Sequence, residues 1–227
     1  METVSSGWAK PSAAVLKKDF KSELRTRYAL NAILLFAITT LVIISFSMAQ
    51  FGQKSDLMAI LLWVVLFFSA MSGLSRSFVR EEETRTIIAL KLSTPSLEVY
   101  LGKLAFNLTL LGILDLIIVP GFLLLMGVKV GNFALMALVI LLGSIGLGGA
   151  STIIAAIISK AGAKGALFPV LAFPILMPLL IIAIEATEMA LTGKTIAQAF
   201  PQLRLLISYT VVMITVSLML FDFVWNE

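Results

Sequence analysis

The chain has no cysteine and no histidine among its 227 residues. The first absence excludes a disulfide framework, a thiol nucleophile and a Cys-x-x-Cys redox motif. The second removes the usual imidazole base and the commonest ligand for metals and haem iron. Charge is scarce too: 13% of residues are Asp, Glu, Lys or Arg, about half the share in a soluble domain. No Gly-x-x-x-x-Gly-Lys-Ser/Thr phosphate loop is present, since the nearest approach, Ala161-Gly-Ala-Lys-Gly, does not meet the pattern. Also missing are His-Glu-x-x-His, a Gly-x-Ser-x-Gly elbow, a pair of acids within one apolar run and a channel selectivity signature. These absences argue against an enzyme acting alone.

What the chain has in abundance is apolar surface. It is 59% hydrophobic, with a mean hydropathy of +1.05. An all-α, polytopic membrane protein is the direct reading, with no room for a sizeable soluble domain. Six apolar segments follow one another, at about 32–51, 57–74, 104–126, 133–158, 166–184 and 203–224. Each has about the length a helix needs to cross 30 Å of hydrocarbon. Pro169, Pro174 and Pro178 interrupt the fifth, which is expected to be kinked or broken. The chain divides into a tail and lead-in helix (1–31) and a six-helix membrane domain (32–227).

The sequence pI near 9.4 does not indicate nucleic acid, because the basic residues flank apolar runs and read as topology signals. With the N-terminus inside, the cytoplasmic segments hold Lys10, Lys17, Lys18, Lys21, Arg25 and Arg27, then Arg76, Arg80, Arg85, Lys91 and Lys103, then Lys160 and Lys164. That is thirteen of the seventeen Lys and Arg residues; the outer connections hold Lys54, Lys129, Lys194 and Arg204. The bias predicts that both termini, together with segments 75–103 and 159–165, face the cytoplasm. The N-terminus is not read as a cleavable signal peptide, because its first apolar run starts only at Ala32 and is too long. Before that run, Leu16, Phe20, Leu24 and Tyr28 recur every four residues among lysines and arginines. That pattern predicts a basic amphipathic helix at the membrane interface, with its lysines near anionic headgroups.

Segment 75–103 carries nine of the thirty charged side chains and lies between two apolar runs. The residues Ser93-Thr94-Pro95 should split it into two helical pieces, because proline is accepted only in a helix's first turn. Upstream come Arg80, Glu81, Glu82, Glu83 and Arg85, then Ile87, Ile88, Leu90 and Leu92; downstream, Leu97, Tyr100, Leu101 and Leu104 run into the third span. Two readings stand: a surface that a soluble partner grips, or a solvated connection with i,i+4 pairs such as Glu81–Arg85.

Asp115 is the one ionisable residue deep in a span. Such an acid is a hydrogen-bonded structural group, a lining of a translocation path or subunit interface, or part of a proton-coupled device. In the fourth segment, Ser144, Gly148 and Thr152 share a face at four-residue spacing, which suits close helix packing inside the chain or between subunits.

Four features stand together: the lead-in Lys17-Lys18-Asp19-Phe20-Lys21-Ser22-Glu23-Leu24-Arg25 with the six-span layout, Phe78-x-Arg80-Glu81-Glu82, Leu90-x-Leu92-x-x-Pro95 with Lys103, and Gly165-Ala-Leu followed by Pro174-Ile-Leu-Met-Pro178-Leu-Leu-Ile. In these the sequence resembles the CcmB family of permease-like membrane subunits from the haem exporter system for cytochrome c maturation. The resemblance implies a type-2 ABC-exporter-like permease in the bacterial inner membrane, working as a homodimer with a separate ATPase, CcmA. It also implies the partners CcmC and CcmD and a link to the haem chaperone CcmE. Segment 75–103 would be the coupling loop, with Arg80, Glu81, Glu82, Glu83 and Arg85 at the ATPase and Leu90, Leu92 and Pro95 shaping it. ATP and Mg²⁺ would sit on the ATPase, and haem would be a transported or partner-held ligand: this chain has no histidine or cysteine for its iron, which leaves methionine and tyrosine as ligands, and a methionine in an apolar span is usually core. A mechanical role is therefore expected. The same architecture suits a permease for another lipid-like, drug-like or glycan substrate, and a non-transporting scaffold remains the reading from a different class.

Overall fold

The computed structural model describes residues 9–26, 28–48, 54–75, 77–78, 81, 86–160 and 168–226. These fold into eight helices: α1 (Ala9–Thr26), α2 (Tyr28–Met48), α3 (Ser55–Leu74), α4 (Ile87–Ser93), α5 (Ser96–Met126), α6 (Phe133–Lys160), α7 (Phe168–Leu191) and α8 (Phe200–Asn226). Five of them, α3 and α5 to α8, are long and apolar enough to cross a membrane. The apolar stretch described in α2 is shorter, Ile33–Met48, about 24 Å of helix at 1.5 Å per residue. It falls short of a hydrocarbon core of about 30 Å, so the first of the six apolar segments is the one whose described part does not meet the length.

The break at Ser93-Thr94-Pro95 divides the charged segment where the proline demands it. Thr94 leaves α4 in an extended conformation and Pro95, also non-helical, precedes the first residue of α5. From there α5 runs unbroken for 31 residues, roughly 46 Å, so it carries the charged segment and an apolar span on one rod. The prolines of α7 do not break it, because Pro174 and Pro178 both lie inside a continuous helix. Pro178 withholds the donor for the carbonyl four residues back; at the next carbonyl, Ile175, the Tyr209 hydroxyl of α8 donates a hydrogen bond.

The helix α6 is central, packing on α3, α5, α7 and α8. Its small residues make that possible. Gly148 faces Leu108 and Leu111 of α5, Gly146 faces Leu179 of α7 and Thr210 of α8, and Gly149 faces Ile214 of α8. Gly143 receives the ring of Trp63 from α3, and a Cβ there would stand 2.1 Å from that ring. The Trp63 indole N–H donates to Thr187 of α7 at 2.8 Å, so one buried joint holds α3, α6 and α7.

Candidate functional site

Three parts of the chain far apart in sequence meet at one end of the bundle: α1, the residues Ser77 to Thr86 that are described, and the first turns of α5. The meeting begins with a glycine. A Cβ on Gly102 of α5 would come within 2.7 Å of Val15 Cβ and 2.8 Å of the Ser12 carbonyl, so only glycine lets α1 lie this close. Val15 is buried against it, and Phe20 of α1 meets Phe106 of α5 edge to face at 5.4 Å. The docking face of α1 thus centres on Val15 and Asp19, while Leu24 stays exposed. Part of the amphipathic face expected to lie in lipid is taken up by the protein itself.

Beside that contact lies a buried ion cluster. Lys103 of α5, with 2% of its side-chain surface exposed, pairs with Asp19 Oδ2 at 3.0 Å and Glu81 Oε1 at 2.9 Å. Its ammonium also donates to the Ser77 carbonyl at 2.7 Å and stands 5.3 Å from the Phe78 ring centroid. Lys18, half-exposed, bonds Glu81 and pairs with Asp19 Oδ1 at 3.2 Å. Thr86 closes the group, its hydroxyl donating to Glu81 Oε2 at 2.7 Å and its N–H to the Glu81 carbonyl at 3.0 Å. Among the described residues the cluster pairs two cations with two anions, and pairing is how charges are kept in an interior.

Burial works to raise the Glu81 carboxyl, but the Lys103 charge, with hydrogen bonds from Lys18, Thr86 and Lys103, holds it at about 2 against an ordinary 4.5. Burial works to lower Lys18, and the Glu81 hydrogen bond with the Asp19 and Glu81 charges leaves it raised. A carboxyl depressed in the folded state contributes stability above its unfolded value and loses it as pH falls through the folded one. Thermal unfolding midpoints in detergent should therefore drop as pH falls from 4.5 towards 2. In Glu81→Gln that part of the slope should be absent; an unchanged acid profile would remove Glu81 as its source.

An aromatic group ties the cluster to the end of α8. Phe78 packs on Phe221 at 5.7 Å and Trp225 at 6.3 Å, Tyr100 on Phe221 at 5.2 Å, and Phe221 stacks on Trp225 at 5.4 Å. Lys91 of α4 lies 5.8 Å over the Trp225 ring, and Ser96 donates to Asp222 at 2.5 Å. Pinned this way, α4 has two faces. Ile87 and Leu90 are buried, whereas Ile88 (64%) and Leu92 (85%) are exposed, with Leu97 exposed in the first turn of α5.

Of the expected loop residues, Glu81 is buried in the ion cluster, Leu90 packs inward, Leu92 points out and Pro95 separates the helices. Arg80, Glu82, Glu83 and Arg85 lie outside the described residues. Within the bundle, Ser144 donates to Asp115 at 2.6 Å and Asn107 to Thr152 at 2.9 Å. With Gly148 on Leu108 and Leu111, the Ser144–Gly148–Thr152 face packs along α5. Among the described residues no three acidic side chains converge as a metal site would require. Asp19, Lys18, Lys103 and Thr86 escape a reading of the sequence by role. Lys103 counts there only as a topology signal and family motif residue, although Val99, Tyr100, Lys103 and Asn107 follow a buried stripe at helical spacing.

The assembly joins helix α1, the short helix α4 and the membrane rod α5. No curated protein matches this chain. The family described as CcmB protein matches residues 11–223, from within α1 to the last turns of α8. With that match over nearly its whole length and five helices able to span a membrane, the chain belongs to the CcmB family, the multi-pass permease subunits of the ABC-type haem exporter of cytochrome c maturation.

Proposed function

We propose that this subunit couples ATP hydrolysis on a separate ATPase to haem handling, and that α4 with the start of α5 is where the force enters. The observation that carries the reading is the outward pair Ile88 and Leu92, joined by Leu97. Apolar side chains are usually found singly on a surface, and a group of them marks a contact site. They sit on a helix braced from behind by Trp225 and by the Lys103 cluster. A push on α4 therefore reaches α5, which runs unbroken through the bundle.

The finer architecture belongs to the same proposal. The helix α2 completes six spans, the fold is type-2 exporter-like, and both termini lie in the cytoplasm beside the inner membrane. The permease pairs with a second copy and with CcmA, and works with CcmC and CcmD towards the chaperone CcmE. Haem is cargo or a partner's ligand, and the output is its export or the release of the haem-loaded chaperone.

The burial of Glu81 changes which variant tests docking. Reversing its charge would break the internal cluster, whereas Ile88→Glu with Leu92→Glu alters only outward side chains. The double variant, in the assembled complex, should retain a tenth or less of the copurifying ATPase while reaching the membrane at parental levels. Full ATPase retention would sink the coupling reading and favour a scaffold.

A further inference from the structure

We infer that the edge between α5 and α6 at Asp115 docks a transmembrane helix of another subunit, one that presents a hydrogen-bond donor there. Asp115 lies midway between Leu104 and Met126, at the centre of the apolar part of α5. Ser144 satisfies Oδ2. Its other oxygen has no hydrogen-bond partner among the described residues, and the side chain is not fully covered. Around it the surface is made for hydrocarbon: Leu116 is 77% exposed, and Ile113, Ile117 and Leu141 are exposed as well. Lipid tails offer no donor, so a carboxyl left open to them stays unsatisfied in either protonation state.

The shape beside it suits a helix. One turn before Asp115, on the same edge, a Cβ on Gly112 would meet nothing within 4 Å. That leaves an indentation next to the carboxyl, and a small residue is what lets two membrane helices approach closely. The polar occupant must be a donor: a serine, threonine, asparagine or glutamine side chain, or a basic one. A second copy of this chain is the less suitable occupant. A copy whose two-fold axis ran beside Asp115 would bring up a second carboxyl there rather than one of these donors. The inference rests on the chain's place in a complex with other Ccm components.

The absence of cysteine makes the test direct. A single Gly112→Cys chain, assembled in its native complex and labelled with a benzophenone maleimide, is irradiated and the adduct sequenced. The expected adduct is on a span of another subunit, within one turn of a donor side chain. In parallel, complexes carrying Gly112→Leu, Asp115→Leu or Asp115→Asn are purified. The two leucine variants should keep a tenth or less of that subunit and the full ATPase; asparagine, which still accepts, should keep most of both. Gly112→Leu guards against misfolding, since among the described residues a Cβ there meets nothing within 4 Å. An adduct only to lipid, an adduct between two copies of this chain, or full retention in both leucine variants would overturn the inference. Loss of the ATPase is read separately and bears on the coupling proposal instead.

Discussion

Replacing Lys103 by methionine should destabilise the folded chain by about 3–5 kcal/mol, the usual effect of removing one partner from a buried ion pair. Methionine keeps most of the unbranched stem that packs beside Phe78, so the change isolates the charge. It takes the buried cation from the Asp19 and Glu81 carboxylates, both buried; of the two ammoniums described in the cluster, the half-exposed one of Lys18 remains. The Ser77 carbonyl loses its donor as well. Thermal unfolding in detergent gives the size of the loss. The informative control is the triple variant Lys103→Met, Asp19→Leu and Glu81→Met. Removing all the buried charges except the half-exposed Lys18 together is often neutral or even stabilising, so the triple variant should recover much of what the single one loses. A single variant within about 1 kcal/mol of the parent would show that the cluster behaves like a surface pair.

The same cluster shows where the sequence stops being legible. Helices and their breaks follow from local chemistry: apolar runs, Pro95 as a stop and the small residues of α6 all act within a few residues of themselves. The cluster does not, for Lys18 and Glu81 lie 63 residues apart and Lys103 and Glu81 lie 22 apart. Nothing local distinguishes Glu81 from its acidic neighbours, so it reads as one docking charge among several until the fold buries it. Asp19 reads as a lone acid in a basic helix for the same reason. The α7 prolines are ambiguous in another way. Locally they allow a kink or a break, and the helix runs through both Pro174 and Pro178 without a break. The small residues of the fourth segment could be seen to permit close packing, but not against which partner. That was decided by Trp63, Leu111 and Asp115 on other helices.

Gly143→Val should cost about 3 kcal/mol, at the upper end of ordinary overpacking, because the obstacle cannot step aside. The first added carbon alone would lie 2.1 Å from the Trp63 ring and 3.0 Å from a second atom of it. Trp63 is 1% exposed, and its indole N–H is held by the Thr187 hydroxyl at 2.8 Å. Any swing of the ring gives up that hydrogen bond and leaves a buried hydroxyl and a buried N–H to be satisfied elsewhere. Shifting the helices apart instead would open the contacts of α6 with both α3 and α7. A double-mutant cycle with Trp63→Phe separates these costs. Phenylalanine shortens the ring and forfeits the hydrogen bond, so it destabilises on its own, yet it removes the atoms that valine meets. The two changes together should then cost less than their sum, with a coupling of about 1–3 kcal/mol. Strict additivity would mean that Gly143 and Trp63 are not in contact in the folded protein, and the joint between α3, α6 and α7 would have to be drawn differently.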